Sequence, residues 1–273
     1  MGKLYVVATP IGNLEDLSPR TISILQEVGC LLCENPNHTK KLLYHFKIKQ
    51  STIQIADFNE KSKVNTILER LSHDQSIAIV SDAGTPLISD PGYALVDACL
   101  KAGHQVTPIA GPCALIAALS CSGLPTDHFR FEGFLPSKPT QRRKYLDQLK
   151  QCTHTIIFYE SPHRLFQSLE DCCVSFGLMR MAVLTRELTK IHETIYRAPL
   201  GQLTQWAIQN HQDIGECTII IQGAQPSSFA PEIETVVNIL SNHLKGKSLV
   251  EAVSQLCGCR KQVVYQYLQD HSK

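Results

Sequence analysis

The sequence has no run approaching the roughly 20 apolar residues that a helix needs to cross a bilayer, and Met1-Gly2-Lys3 leads into a strand-like segment rather than the apolar core of a secretion signal. A membrane-spanning or secreted chain is therefore not expected, and the expected compartment is the cytoplasm. Excess charge is also missing: with a net charge of +1 there is no global signature of a nucleic-acid binder, so any such partner must be held by local patches. The first loop, Ala8-Thr9-Pro10-Ile11-Gly12-Asn13, has one glycine and a proline where a dinucleotide fold would carry a glycine triplet, which disfavours NAD or FAD. No His-Glu-x-x-His helix is present among the scattered histidines. Cys30-Leu31-Leu32-Cys33 has zinc-like spacing, but a strand would turn its two sulfurs to opposite faces, and Cys257-Gly258-Cys259 lacks a matching second pair, so no structural metal is expected. The cysteine count of 11 is odd and many lie in apolar segments, so they read as reduced, small hydrophobes rather than disulfide partners. No repeat or low-complexity tract stands out.

What is there is a chain of 273 residues, 43% hydrophobic and 19% charged, enough for a sizeable core and for two domains of ordinary size. Leu4–Thr9 is an apolar run, and Ser18-Pro19 supplies an N-cap and N1 proline for a helix that Gly29 closes. Strand patterns at 31–33, 53–55, 77–80 and 106–109 alternate with helical stretches at 64–72 and 92–102, which implies a mainly parallel sheet. After Gly111-Pro112-Cys113 opens a further helix, the alternation restarts, with strands at 129–133, 155–159, 182–185 and 217–222 and helices near 141–150, 162–176 and 200–210. The expected organisation is an α/β domain over 1–115, a second α/β domain over 116–225, and a linker and helical tail over 226–273. In the tail, Ser248-Leu249-Val250-Glu251 reads as a capping box, and Gly258 separates two short amphipathic helices resembling a helix-turn-helix element.

The segment from Ser81 to Gly92 follows the buried-strand pattern at 77–80 and is far longer than a strand needs in order to turn. In open α/β sheets the carboxyl edge of the strands is where ligands bind. Gly84 and Gly92 permit close backbone approach, Thr85 and Ser89 offer hydroxyls, and Asp82 and Asp90 can accept from ribose hydroxyls or an amine, a set that suits a zwitterionic nucleoside. The bland alternative makes both aspartates helix or turn caps. Glu160, His163 and Arg164 gather after a second strand, and Arg186, Glu187 and Lys190 after a third; substrate contact and simple pairing of carboxylates with arginines weigh equally there. Basic clusters occur at Arg142-Arg143-Lys144, at Lys40-Lys41 with Lys47 and Lys49, and at Lys245, Lys247, Arg260 and Lys261, each able to contact phosphates or to serve as a solvated face.

Taken together, Val7–Leu14, Ser81–Pro86 with Ile88–Gly92, Ser122–Asp127, Phe131–Pro136 and Phe158–Arg164 resemble the ribosomal RNA small subunit methyltransferase I family of the tetrapyrrole-methylase superfamily, nearly end to end. The resemblance implies two α/β domains with S-adenosyl-L-methionine in the cleft between them, a homodimer, and 2′-O-ribose methylation of a decoding-region cytidine in 16S ribosomal RNA. It also implies a cofactor pocket made from Pro10, Asp82, Ala83, Gly84, Ile88, Cys113 and Ala114, closed by Tyr159 and Glu160. A ribose hydroxyl is a weak acid, so a carboxylate should take its proton, and Glu34, Asp82 and Glu160 are the candidates. Arg164, Arg186 and the Arg142-Arg143-Lys144 group would hold RNA phosphates, within the small ribosomal subunit rather than naked RNA. The sequence departs from the family at Asn35-Pro36-Asn37, where aspartate, threonine and arginine are usual, so an acidic and a basic side chain are replaced by neutral ones. Two alternatives stand beside this reading: methylation of a tetrapyrrole or other small molecule, and a non-catalytic RNA-binding assembly factor that keeps a cofactor pocket.

Overall fold

A computed structural model describes residues 2–56, 59–225 and 233–271. The chain forms two compact units, Met1–Gly223 and Ala224–Lys273. The expected linker after Gln225 lies outside the described residues.

The first unit contains two five-stranded sheets. Strands β1 (Lys3–Val7), β2 (Cys30–Cys33), β3 (Thr52–Gln54), β4 (Ile77–Val80) and β5 (Gln105–Ile109) form the first, in the order β3-β2-β4-β1-β5, with every pairing parallel. Parallel neighbours require crossovers, and these carry α1 (Pro19–Glu27), α2 (Pro36–His45), α3 (Glu60–Ser72) and α4 (Tyr93–Lys101) onto the sheet. Covered on both faces, β2 and β4 are buried at every residue, which explains their unbroken apolar sequences. Strand alternation sends Cys30 into one core cluster with Leu4 and Ile79, and Cys33 into the other with Val7 and Val80, so the two sulfurs face opposite sides. Ser18 caps α1 by accepting the Thr21 N–H at 3.1 Å. The start of α4 follows Gly92, which has no side chain to cap it; buried Glu60, from α3, accepts the Leu95 N–H at 2.7 Å instead.

The second sheet comprises β6 (Phe129–Phe134), β7 (Thr155–Glu160), β8 (Met181–Arg186), β9 (Thr194–Pro199) and β10 (Cys217–Ile221), in the order β6-β7-β10-β8-β9. Only β6 and β7 run parallel; β10 lies between β7 and β8, antiparallel to both. One face packs on α6 (Pro139–Leu149), α7 (Leu165–Phe176) and α8 (Leu200–Gln209) through a core that includes Leu146, Phe158, Leu169, Leu203 and Ile219. The other face takes α5 (Ala114–Cys121), whose Leu115, Ala118 and Leu119 meet Ile157, Val183 and Ile220. The whole of α5 thus belongs with the second sheet, although a break at residue 115 would cut its first turn away.

The second unit is three helices, α9 (Ile233–Leu240), α10 (Gly246–Cys257) and α11 (Lys261–Asp270), around Val237, Val250, Val253 and Val264. The capping box expected at Ser248 is not formed, because α10 begins at Gly246 and Ser248 lies inside it. Gly258 ends α10 in the left-handed conformation, φ 61°. Among the described residues, no helix is long and apolar enough to cross a membrane.

Candidate active site

Three loops leaving the carboxyl ends of β1, β4 and β5 are stapled into one floor. Thr9 and Gly84 exchange backbone hydrogen bonds, Thr9 N–H to Gly84 O at 2.8 Å and Gly84 N–H to Thr9 O at 3.0 Å. The buried Thr9 hydroxyl donates to Ser81 O at 3.2 Å, and the Thr85 hydroxyl donates to Pro112 O at 2.9 Å. Within this floor Leu87 (φ 72°) and Ser89 (φ 66°) are held in the left-handed region, a conformation costing non-glycine residues about 1–3 kcal/mol each, which the staples offset. Gly12 lies tightly against the loop after β8: a Cβ there would stand 2.4 Å from Lys190 Cγ and 2.8 Å from Leu188 O. Beside it, Asn13 N–H donates to Thr189 Oγ1 at 3.1 Å.

Two adjoining cavities open over the floor. One, of about 300 Å³, is bounded by Asp82, Ala83, Gly84, Ile88, Cys113, Ala114, Tyr159 and Glu160, with Thr85, Asp90 and Phe134 completing much of its wall. The other, of about 330 Å³, is bounded by Pro10, Gly12, His38, Thr39, Lys41 and Lys190. Ile11, Asp82, Ala83 and Glu216 line both and mark their junction. The residues expected around a cofactor are thus brought together, except that Pro10 lies in the neighbouring cavity.

Tyr159 is a wall residue. Its hydroxyl accepts the Leu115 N–H at 3.0 Å, satisfying an otherwise orphaned donor in the first turn of α5, and its ring meets Phe131 and Phe134 edge-on at 4.8 and 5.7 Å. Burial, with the Cys113 thiol beside it, pushes the phenol well above its usual range, so it stays protonated. Asp82, at the junction, accepts the Asn35 N–H at 3.2 Å. Asn35 in turn caps α2, its side-chain oxygen accepting from Asn37 N–H and His38 N–H, with Pro36 at the first helical position. Asparagine caps a helix as well as aspartate does, so the Asn35-Pro36-Asn37 departure preserves the local structure.

Several of the expected residues are engaged elsewhere. Glu160 has a fully buried side chain whose Oε1 accepts from Ser161 N–H (2.7 Å) and Arg164 Nη2 (2.5 Å), while Oε2 accepts from the Ser168 hydroxyl, so both oxygens are engaged within the protein. Glu34 lines neither cavity and sits in a narrow cleft that borders both, through Ser81 on one side and Asp90 on the other. Arg142 is 1% exposed and its Nε donates to Asp171 at 2.7 Å, out of reach of any phosphate. Arg186 is consumed by Gln212 Oε1 at 2.8 Å and by the carbonyls of Ile214 and His192. Arg164 is held on Glu160. Arg143, 58% exposed although it also meets Asp171 at 2.5 Å, and Lys144 on the same helix remain on the surface.

Sequence reasoning missed Glu216 and the part played by Lys190 and α2. Lys190 Nζ reaches Glu187 Oε1 at 2.7 Å and Glu216 Oε2 at 3.0 Å. Partial burial works to raise the Glu187 carboxyl, but hydrogen bonds from Lys190 and the Glu216 N–H draw it below the usual carboxylate range. Glu216 precedes β10, and only the antiparallel placement of that strand, with Cys217 opposite Glu160 and Arg186, brings its amino end to the edge where β7 and β8 end.

Residues 3–204 match the model of the tetrapyrrole (corrin/porphyrin) methylases. The chain is 47% identical over 267 residues to a ribosomal RNA small subunit methyltransferase I of Xylella fastidiosa (97% of this chain, 98% of that protein) and 44% identical to its namesake from Escherichia coli O157:H7 (97% and 94%). Among solved structures it is similar in fold to the methyltransferase CobJ (TM-score 0.61, 19% identity, 82% of this chain and 95% of that one). A uroporphyrin-III C-methyltransferase from Thermus thermophilus complexed with S-adenyl homocysteine is likewise similar (TM-score 0.54, 15% identity, 80% and 97%).

Proposed function

Because the chain belongs to the tetrapyrrole methylase family and, within it, to the ribosomal RNA small subunit methyltransferase I group, we propose that it is an S-adenosyl-L-methionine-dependent methyltransferase acting on the 2′-hydroxyl of a cytidine in 16S ribosomal RNA. The observation that carries this reading is the pair of cavities meeting at Asp82 and Glu216, which gives donor and acceptor separate seats with one shared boundary. In the cavity over Gly84, the apolar Ile88, Ala114 and Phe134 suit an adenosine, and the Asp82 and Asp90 carboxylates suit the amine and sulfonium of S-adenosyl-L-methionine. Bound there, that group would supply an electrophilic methyl on a positively charged sulfur.

The residues of the chain then position and deprotonate. Gly84, Cys113 and Ala114 admit the donor closely, while Tyr159 and Phe134 form a wall against water. In-line transfer depends on alignment more than on activation, so the stapled floor carries much of the catalytic task. Asp82 is the proton acceptor in this reading: of Glu34, Asp82 and Glu160, it alone lines the junction. Arg143 and Lys144, on the exposed face of α6, contribute phosphate contacts. The cytoplasm, the assembled small subunit as substrate and a homodimeric state belong to the same proposal.

The test is transfer of a labelled methyl group by the purified protein to small-subunit particles, to naked 16S RNA and to a tetrapyrrole. Label on one cytidine ribose supports the reading; label on the tetrapyrrole alone overturns it. The non-catalytic alternative rests on the neutral side chains of Asn35-Pro36-Asn37; Asn35 keeps the start of α2 intact by capping it, and methyl transfer to the particle decides the rest.

A further inference from the structure

Resting on the methyltransferase reading, we propose that the cavity beside α2 is the seat of the acceptor nucleotide and that Lys41 binds its phosphodiester. Two cations line this cavity, and they differ in what surrounds them. Lys190 is neutralised by Glu187 and Glu216 at 2.7 and 3.0 Å. Lys41 is exposed and makes no ion pair among the described residues, so it offers an uncompensated charge at the cavity wall. His38, three residues earlier and therefore on the same face of α2, adds a ring that can donate to phosphate. Thr39 lines the same cavity and is 3% exposed, its hydroxyl set against the Cys33 thiol. The cavity meets the donor side at Asp82, so a nucleotide anchored by Lys41 presents its ribose toward the carboxylate that takes the proton.

The three substitutions Lys41→Ala, Lys41→Arg and Lys40→Ala test this, because Lys40 is exposed on the same helix but does not line the cavity. With small-subunit particles as substrate, Lys41→Ala raises KM about tenfold, and the dependence of log KM on log salt loses roughly one unit of slope, the loss expected for one phosphate contact. Lys41→Arg restores most of the affinity, Lys40→Ala leaves KM within about twofold, and S-adenosylhomocysteine binding measured by calorimetry is the same in all three. An unchanged KM and slope in Lys41→Ala, or equal effects at Lys40 and Lys41, overturns the proposal while wild-type transfer to the particle keeps the function intact. If wild-type protein transfers no methyl group to the particle, the functional reading fails and this proposal fails with it.

Discussion

Glu160 divides a structural account of the site from a catalytic one, and Glu160→Gln separates them. Its carboxylate, with a fully buried side chain, accepts from Ser161 N–H, Arg164 and Ser168. An amide of the same shape keeps an oxygen for Ser161 and can donate to Ser168, but it cannot match the charge of Arg164. Loss of a charge-assisted hydrogen bond costs about 1.5–3 kcal/mol. The cost stays below the ~3–5 kcal/mol of a fully buried broken pair, because the Arg164 side chain is 24% exposed and relaxes into water. At roughly 2–4 °C per kcal/mol for a unit of this size, the melting temperature falls by about 3–12 °C. Calorimetry should record that fall, while single-turnover methyl transfer to small-subunit particles at 25 °C, well below the transition, stays within about threefold of wild type. Removing a general base instead costs on the order of 10²–10⁴ in rate. A variant with unchanged melting temperature and a rate loss of about a hundredfold or more would refute the assignment of Glu160 to structure and of proton transfer to Asp82.

Gly12→Ala places a methyl 2.8 Å from Leu188 O and against Lys190 Cγ, pushing apart the two loops that frame the junction; kcat/KM for the particle should drop at least about tenfold with little change in helicity by circular dichroism. Asp171→Ala strips the buried Arg142 of its partner and should destabilise the protein by about 3–5 kcal/mol in urea unfolding, whereas a phosphate-binding role for Arg142 would leave Asp171→Ala stable. Glu187 has a carboxyl drawn below its ordinary value of 4.5, so its contribution to stability is present above that pH and is lost as pH falls through the depressed value. The stability difference between wild type and Glu187→Gln should therefore be constant near neutrality and vanish in acid, and a difference that grew on acidification would contradict the ion pair with Lys190.

Local signals carried much of the architecture. The unbroken apolar runs at β2 and β4 and the Ser18-Pro19 start of α1 are readable because burial on both faces and helix capping leave marks within a few residues. The Ser81–Gly92 loop is legible for the same reason: its length and its small residues have no use in a simple turn. Three elements were missed, α9 in the tail among them. Strand β9 is an edge strand with half-exposed residues and ends in Pro199, and α2 begins at an Asn-Pro pair whose capping value was overshadowed by its departure from the family pattern. The fates of the arginines were not legible, because Arg142 meets Asp171 29 positions away and Arg186 meets Gln212 26 positions away, distances over which sequence alone records no pairing. Glu216 was hidden by topology: the rule that ligands gather at strand carboxyl ends points away from the amino end of β10, and only an antiparallel strand inserted between β7 and β8 reverses it.

The central claim is ribose methylation of one small-subunit cytidine by this chain. The measurement that meets it most directly is a map of 2′-O-methyl groups on 16S ribosomal RNA from cells with and without the gene, repeated after purified protein and S-adenosyl-L-methionine are added to the deficient particles. The account predicts one cytidine methyl lost with the gene and restored by wild-type protein but not by Asp82→Asn. An identical map in both cells, or restoration by the Asp82 variant at the wild-type rate, would contradict it.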